Sequence, residues 1–182
     1  VVSQALSRIY EQNHELDRLV PLLSRQADEE RGPRRHAALC RLGDLQRAHL
    51  GDLEEARRSY ELVLEENPAH PQALLGLDQT LAQAGRYKDL LASLHRQLEN
   101  SPTPRQQVAL WERIAALYEE EFLLHADAAV ALQSVLRLDP SRTPAMTSLA
   151  RLYRTLEQWQ DLCELYQRHR EQVSEPKEQA GL

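Results

Sequence analysis

Seven histidines, two cysteines and 28 carboxylate side chains are the groups in this sequence best suited to chemistry, and their spacing decides what they can do. A zinc or other transition-metal site draws on several ligands, commonly paired one helical turn apart or arranged as Cys-x-x-Cys. His14, His36, His49, His70, His95, His125 and His169 do not recur at such spacing, and His70 and His125 fall in or near turns. Cys40 and Cys163 lie far apart, each inside a helical pattern, and read as reduced packing or surface residues. No Gly-rich phosphate loop, His-Glu-x-x-His or Gly-x-Ser-x-Gly stretch is present. The carboxylates follow helical surfaces and form no isolated pair of the kind acid–base chemistry uses. The sequence therefore predicts a non-catalytic chain with no cofactor and no metal.

The charged groups suit recognition better than catalysis. Glu119-Glu120-Glu121 beside Phe122 offers a surface to a basic partner, and Arg151 with Arg154, one helical turn apart, offers one to an acidic partner. Both runs also read as solvated helix surface, with Glu157 flanking the second. The formal charge of −6 argues against a general binder of nucleic acid or anionic membrane, either of which selects a cationic surface. No stretch approaches the roughly 20 apolar residues of a membrane helix. The chain opens on Val1-Val2 with its single methionine at Met146, which reads as a fragment or processed product; the expected compartment is the cytoplasm.

The elements that must position these groups are helices. Leu, Ala, Glu, Arg and Gln dominate, Gly is scarce and β-branched residues are few, so an all-α chain without sheet is expected. Ala56, Tyr60, Val63 and Leu64, spaced by three and four, form one helical stripe that Asn67-Pro68 closes. Ala128, Leu132, Val135, Leu136 and Asp139-Pro140 repeat it 72 residues later (56 to 128). The same offset links Leu39 to Trp111, Leu74 to Met146, Tyr87 to Trp159 and Leu90 to Leu162, so the duplicated unit is two helical hairpins long. Breaks divide the chain into hairpins at about 1–32, 34–69, 71–102, 104–141 and 143–172, with 173–182 as a frayed tail. Gly51-Asp52 is expected to turn the chain, with Asp52 and Glu55 as a capping box, and Thr143-Pro144 to open the last hairpin.

These hairpins resemble tetratricopeptide repeats, whose helix pairs of about 34 residues carry Trp or Leu, Leu-Gly and Tyr in the first helix, then Ala, an aromatic residue, Ala and a closing Pro. The first-helix pattern corresponds to Leu39, Leu42, Gly43 and Gln46, to Leu74, Leu77, Asp78 and Leu81, to Trp111, Ile114, Ala115 and Tyr118, and to Met146, Leu149, Ala150 and Tyr153. The second-helix pattern falls on Ala56, Tyr60, Val63 and Pro68 and on Ala128, Leu132, Val135 and Pro140, with Leu19, Leu90 and Leu162 replacing the small alanine in alternate units. Trp111 and Trp159 occupy packing positions of this pattern. The resemblance implies an all-α superhelix, a solenoid of about five helix-turn-helix units, whose first helices line a groove.

Carried over residue by residue, that lining includes Arg8, then Cys40, Asp44 and Arg47, then Gln72, Leu75, Gln79 and Gln83, then Glu112, Ala116, Glu119 and Glu120, then Thr147, Arg151 and Arg154. It is polar and mixed in sign. The Lys and Asn clamp with which some repeats of this type hold chaperone C-termini is not matched, because its places carry Cys40 with Asp44, Leu75 with Gln79 and Glu112 with Ala116. The resemblance thus implies a scaffold or adaptor that binds a partner protein or peptide in the groove or on its edge. The alternatives are a regulatory or substrate-recruiting segment of a larger enzyme or signalling protein, and a self-assembling spacer.

Overall fold

A computed structural model describes residues 6–7, 9–10, 12–13, 15–100 and 103–179, with side chains to residue 170. Among these residues there is no strand; the described elements are all helices. They are α1 (Leu16–Glu29), α2 (Pro33–Leu45), α3 (Leu53–Glu66), α4 (Pro71–Gln83), α5 (Tyr87–Glu99), α6 (Pro104–Glu120), α7 (His125–Leu138), α8 (Thr143–Thr155) and α9 (Trp159–Gln179). The all-α expectation holds. The last helix continues to Gln179 through most of the stretch read as a frayed tail.

Local chemistry explains where the helices begin. The first helices α2, α4, α6 and α8 all carry proline in their first turn, where a missing N–H removes no intrahelical bond. Asp52 caps α3 by accepting from the Glu55 amide at 3.2 Å. The reciprocal half of the expected capping box is absent, because the Glu55 carboxylate instead takes Arg58 at 2.5 Å. Thr143 and Pro144 open α8 as expected, with Arg142 at its N-cap position and the Thr143 hydroxyl donating to the Ser141 carbonyl at 3.4 Å. Between α2 and α3 the helix widens into a π-type turn, Gln46–Leu50, before Gly51 reverses it at φ 69°. Leu50, the last residue of that turn, is 50% exposed.

The chain divides into two compact units, Val1–Leu90 and Leu91–Leu182. In the first, Leu19 and Leu23 of α1 are fully buried and join Leu42 of α2, with Tyr10, Leu16, Val20 and Leu45 packed around them. Its tightest contact is Tyr60 of α3, which is fully buried and lies against Gly43 of α2 and Gly76 of α4. A Cβ built on Gly76 would fall 2.3 Å from the Tyr60 ring and one on Gly43 2.7 Å from it, so only glycine admits the ring at either place. In the second unit, Ala128, Ala129 and Ala131 of α7 are buried beside Ile114 and Leu117 of α6, small residues on one helix admitting large ones from the other. Leu149, Leu152 and Tyr153 of α8 complete that core.

One packing expectation needs correction. Trp159 is 59% exposed and Tyr166 41%. The face α9 buries runs through Leu162, Leu165 and His169, and Trp159, Cys163 and Tyr166 lie on the neighbouring stripe. Trp111 is half-buried, its ring edge-on to His95 with centroids 6.1 Å apart.

Candidate protein-interaction surface

The first helices present their outward residues in two different states. On α4, Gln72, Leu75, Gln79 and Gln83 recur at helical spacing and all are exposed, Leu75 by 54%. Gln79 and Gln83 make no hydrogen bond to another residue, whereas Gln72 donates to Asp44 Oδ2 on α2 at 3.2 Å. The other oxygen of Asp44 accepts from the Tyr60 hydroxyl at 2.7 Å, and Arg47 approaches it at 4.0 Å. Burial, followed by that bond to Asp44, raises the Tyr60 phenol above its ordinary range, so it stays a neutral donor. Asp44 and Arg47, both half-buried, therefore belong to a network that anchors Tyr60. Cys40, assigned to the same wall, is fully buried, because the stripe containing Leu39, Leu42 and Gly43 turns it inward; burial pushes its thiol up to about 11. Arg8 lies outside the described residues.

In the second unit the charged residues of α6 and α8 engage each other. Arg142, at the start of α8, holds Glu112 of α6 with two bonds of 2.7 and 2.9 Å. Two turns further along, Arg151 holds Glu119 with two bonds of 2.5 and 3.0 Å. Paired guanidinium and carboxylate forks of this kind fix direction as well as charge. The bond from Arg151 keeps the Glu119 carboxyl below the usual carboxylate range. Arg154 points elsewhere, donating to the Tyr166 hydroxyl of α9 at 2.8 Å. Glu120 and Glu121 are exposed, and Glu120 has no partner side chain. Of the charges expected to meet a partner here, Glu112, Glu119 and Arg151 brace neighbouring first helices, and Glu120 faces solvent unengaged. Arg142 was not anticipated, although its position 30 residues beyond Glu112, close to one repeat, was a usable signal, as was the 32-residue step from Glu119 to Arg151.

A partly buried polar cluster in the first unit was also missed. His36 of α2 approaches Glu66 of α3 at 2.8 Å, and the same carboxylate pairs with Arg35. The His70 ring stands edge-on to His36 with centroids 5.6 Å apart, while its Nδ1 accepts from the Ala73 amide at 3.3 Å and caps α4. Among the described residues no group of three or more His, Cys, Asp or Glu side chains is placed to hold a metal ion. None of the described helices is long and apolar enough to cross a membrane.

Residues 145–180, comprising most of α8 and α9, match the tetratricopeptide repeat family model. The chain has a tetratricopeptide-like fold. A tetratricopeptide repeat protein from Parabacteroides merdae superposes with a TM-score of 0.64 at 17% identity, covering 94% of this chain and 66% of that one. MamA 41-end from Desulfovibrio magneticus superposes with a TM-score of 0.57 at 19% identity, covering 93% of this chain and 92% of that one. At these identities the likeness is one of fold. No curated protein matches by sequence.

Proposed function

We propose that this chain is a non-catalytic scaffold that binds a partner protein or peptide through the outward residues of its first helices. The tetratricopeptide-like fold suggests a protein-interaction role, since helical hairpins of this type present long side-chain rows on a stiff frame. The observation that carries the proposal is the row on α4, where Leu75 stands 54% exposed between glutamines, two of which have no intramolecular engagement. An apolar side chain set among amide donors and acceptors suits a peptide, which brings both side chains and unpaired backbone groups. In the second unit Glu120 and Arg154 are proposed as contact residues of that unit by itself, with Glu112, Glu119 and Arg151 holding its helices in register. The net charge of −6 favours a protein partner over nucleic acid.

Affinity capture with the wild-type chain and a Leu75→Glu, Gln79→Lys variant tests this. A protein retained by the wild type and lost by a variant of unchanged helicity supports the proposal. An identical captured set from both refutes it.

A further inference from the structure

A second docking place lies on another face of the second unit. A cleft of about 630 Å³ opens between the second helices α7 and α9, with α8 at its base. That size falls within the roughly 300–1,000 Å³ of built ligand sites. Val130 and Leu136 of α7, Met146 of α8 and Leu165 of α9 supply its apolar floor. Val130 is 58% exposed, an unusual place for a β-branched apolar residue on a helix with alanines to either side.

The charges around this floor are segregated. Asp161 stands in the first turn of α9 and Glu164 follows it, whereas Arg137 stands in the last turn of α7 and Arg168 with His169 lie further along α9. Both helices pack antiparallel to α8 through short turns and so run the same way, which leaves one end of the cleft acidic and the other basic. Arg137 bonds only to Ser134 of its own helix, at 2.8 Å, and has no carboxylate partner. Asp161 has none either. The exposed Arg168–Glu164 pair, at 3.4 Å, is weak. Arg142 with Glu112 and Arg151 with Glu119 are matched across helices in this unit, whereas Arg137 and Asp161 flank an apolar floor with no ion-pair partner.

We infer that this cleft binds a segment of another protein that carries a basic residue, then two or three apolar residues, then an acidic residue. The apolar side chains would cover Val130, Leu136 and Leu165, the basic residue would meet Asp161, and the carboxylate would meet Arg137. The cleft is distinct from the first-helix face, so the two readings fail separately.

The test is a selection of displayed random peptides of about 12 residues, ~18 Å long as a helix, on the whole chain. Enriched peptides are expected to carry basic, apolar and acidic residues in that arrangement, in either chain direction. Their binding should weaken by about tenfold or more on Val130→Glu or Arg137→Glu, the cost of losing a central contact. An Asp161→Lys variant should prefer versions of the same peptides with glutamate in place of the basic residue. No enrichment, or enriched peptides insensitive to all three changes, overturns the inference. Peptides lost only on Leu75→Glu overturn it as well while supporting the first-helix proposal. All four variant positions are exposed, and circular dichroism confirms that each variant keeps its helicity.

Discussion

Replacing Gly76 by alanine probes the contact on which the first unit is most exacting. The new Cβ would stand 2.3 and 2.4 Å from two carbons of the Tyr60 ring, against the roughly 3.5–4.0 Å at which carbon atoms pack. The ring cannot retreat freely, because Gly43 closes its other side and its hydroxyl is tied to Asp44 at 2.7 Å. Overpacking a buried site typically costs about 1–3 kcal/mol, and an overlap this deep against a trapped ring belongs at the upper end. Alanine returns about 1 kcal/mol through its better helix propensity, so the steric term wins and the net loss is about 2 kcal/mol. With a urea dependence of about 2 kcal/mol per molar, the unfolding midpoint should fall by about 1 M. Urea titration followed by far-UV circular dichroism reads this directly. Tyr60→Leu should itself be destabilising, yet Gly76→Ala added to it should cost much less than it does in the wild type, giving a coupling energy above about 0.5 kcal/mol. A Gly76→Ala variant as stable as the wild type would refute the wedge.

Other consequences are smaller or more selective. The exposed Arg151 and half-buried Glu119 are screened, so Glu119→Gln should cost no more than about 1 kcal/mol in urea titration despite the bidentate geometry, and the exchange Glu119→Arg with Arg151→Glu should recover most of it. Asp52→Ala removes the cap of α3 and should cost about 1 kcal/mol, while Asp52→Asn should cost little. Burial, then the nearby His70, then Arg35 hold His36 below its ordinary value of 6.5. The unfolded chain therefore binds that proton more readily: the stability His36 permits is complete above about pH 6.5 and declines as the pH falls from there towards the lowered folded value. His36→Gln should flatten that part of the stability–pH curve measured by urea titration. Cys163 is exposed and Cys40 is buried with its thiol at about 11, so a thiol reagent at neutral pH should label one cysteine quickly and the second only on unfolding.

Much of the architecture was legible because it is written locally. Spacings of three and four place Ala56, Tyr60 and Val63 on one face, and prolines 33, 71, 104 and 144 mark helix starts through a steric rule that needs no tertiary partner. What escaped reading depends on residues from several helices meeting. Gly43, Tyr60 and Gly76 form a wedge only when α2, α3 and α4 stack, and a helical pattern alone gives no reason for Gly76. The outward row on the first helices was legible as a position but not as a state. Sequence cannot tell the unengaged Gln79 from Glu119, whose charge is taken by Arg151, or from Cys40, which the helix turns inward.

Binding through the first helices is tested most directly by site-specific photo-crosslinking in intact cells. A photoreactive amino acid is placed at Leu75 on α4 and, as a control in the same unit, at Leu62, which is 39% exposed on the second helix α3. A covalent adduct with a different protein from position 75 and none from position 62 is the expected result. Adducts from position 62 alone, or from neither position in cells where the chain is abundant, would contradict it.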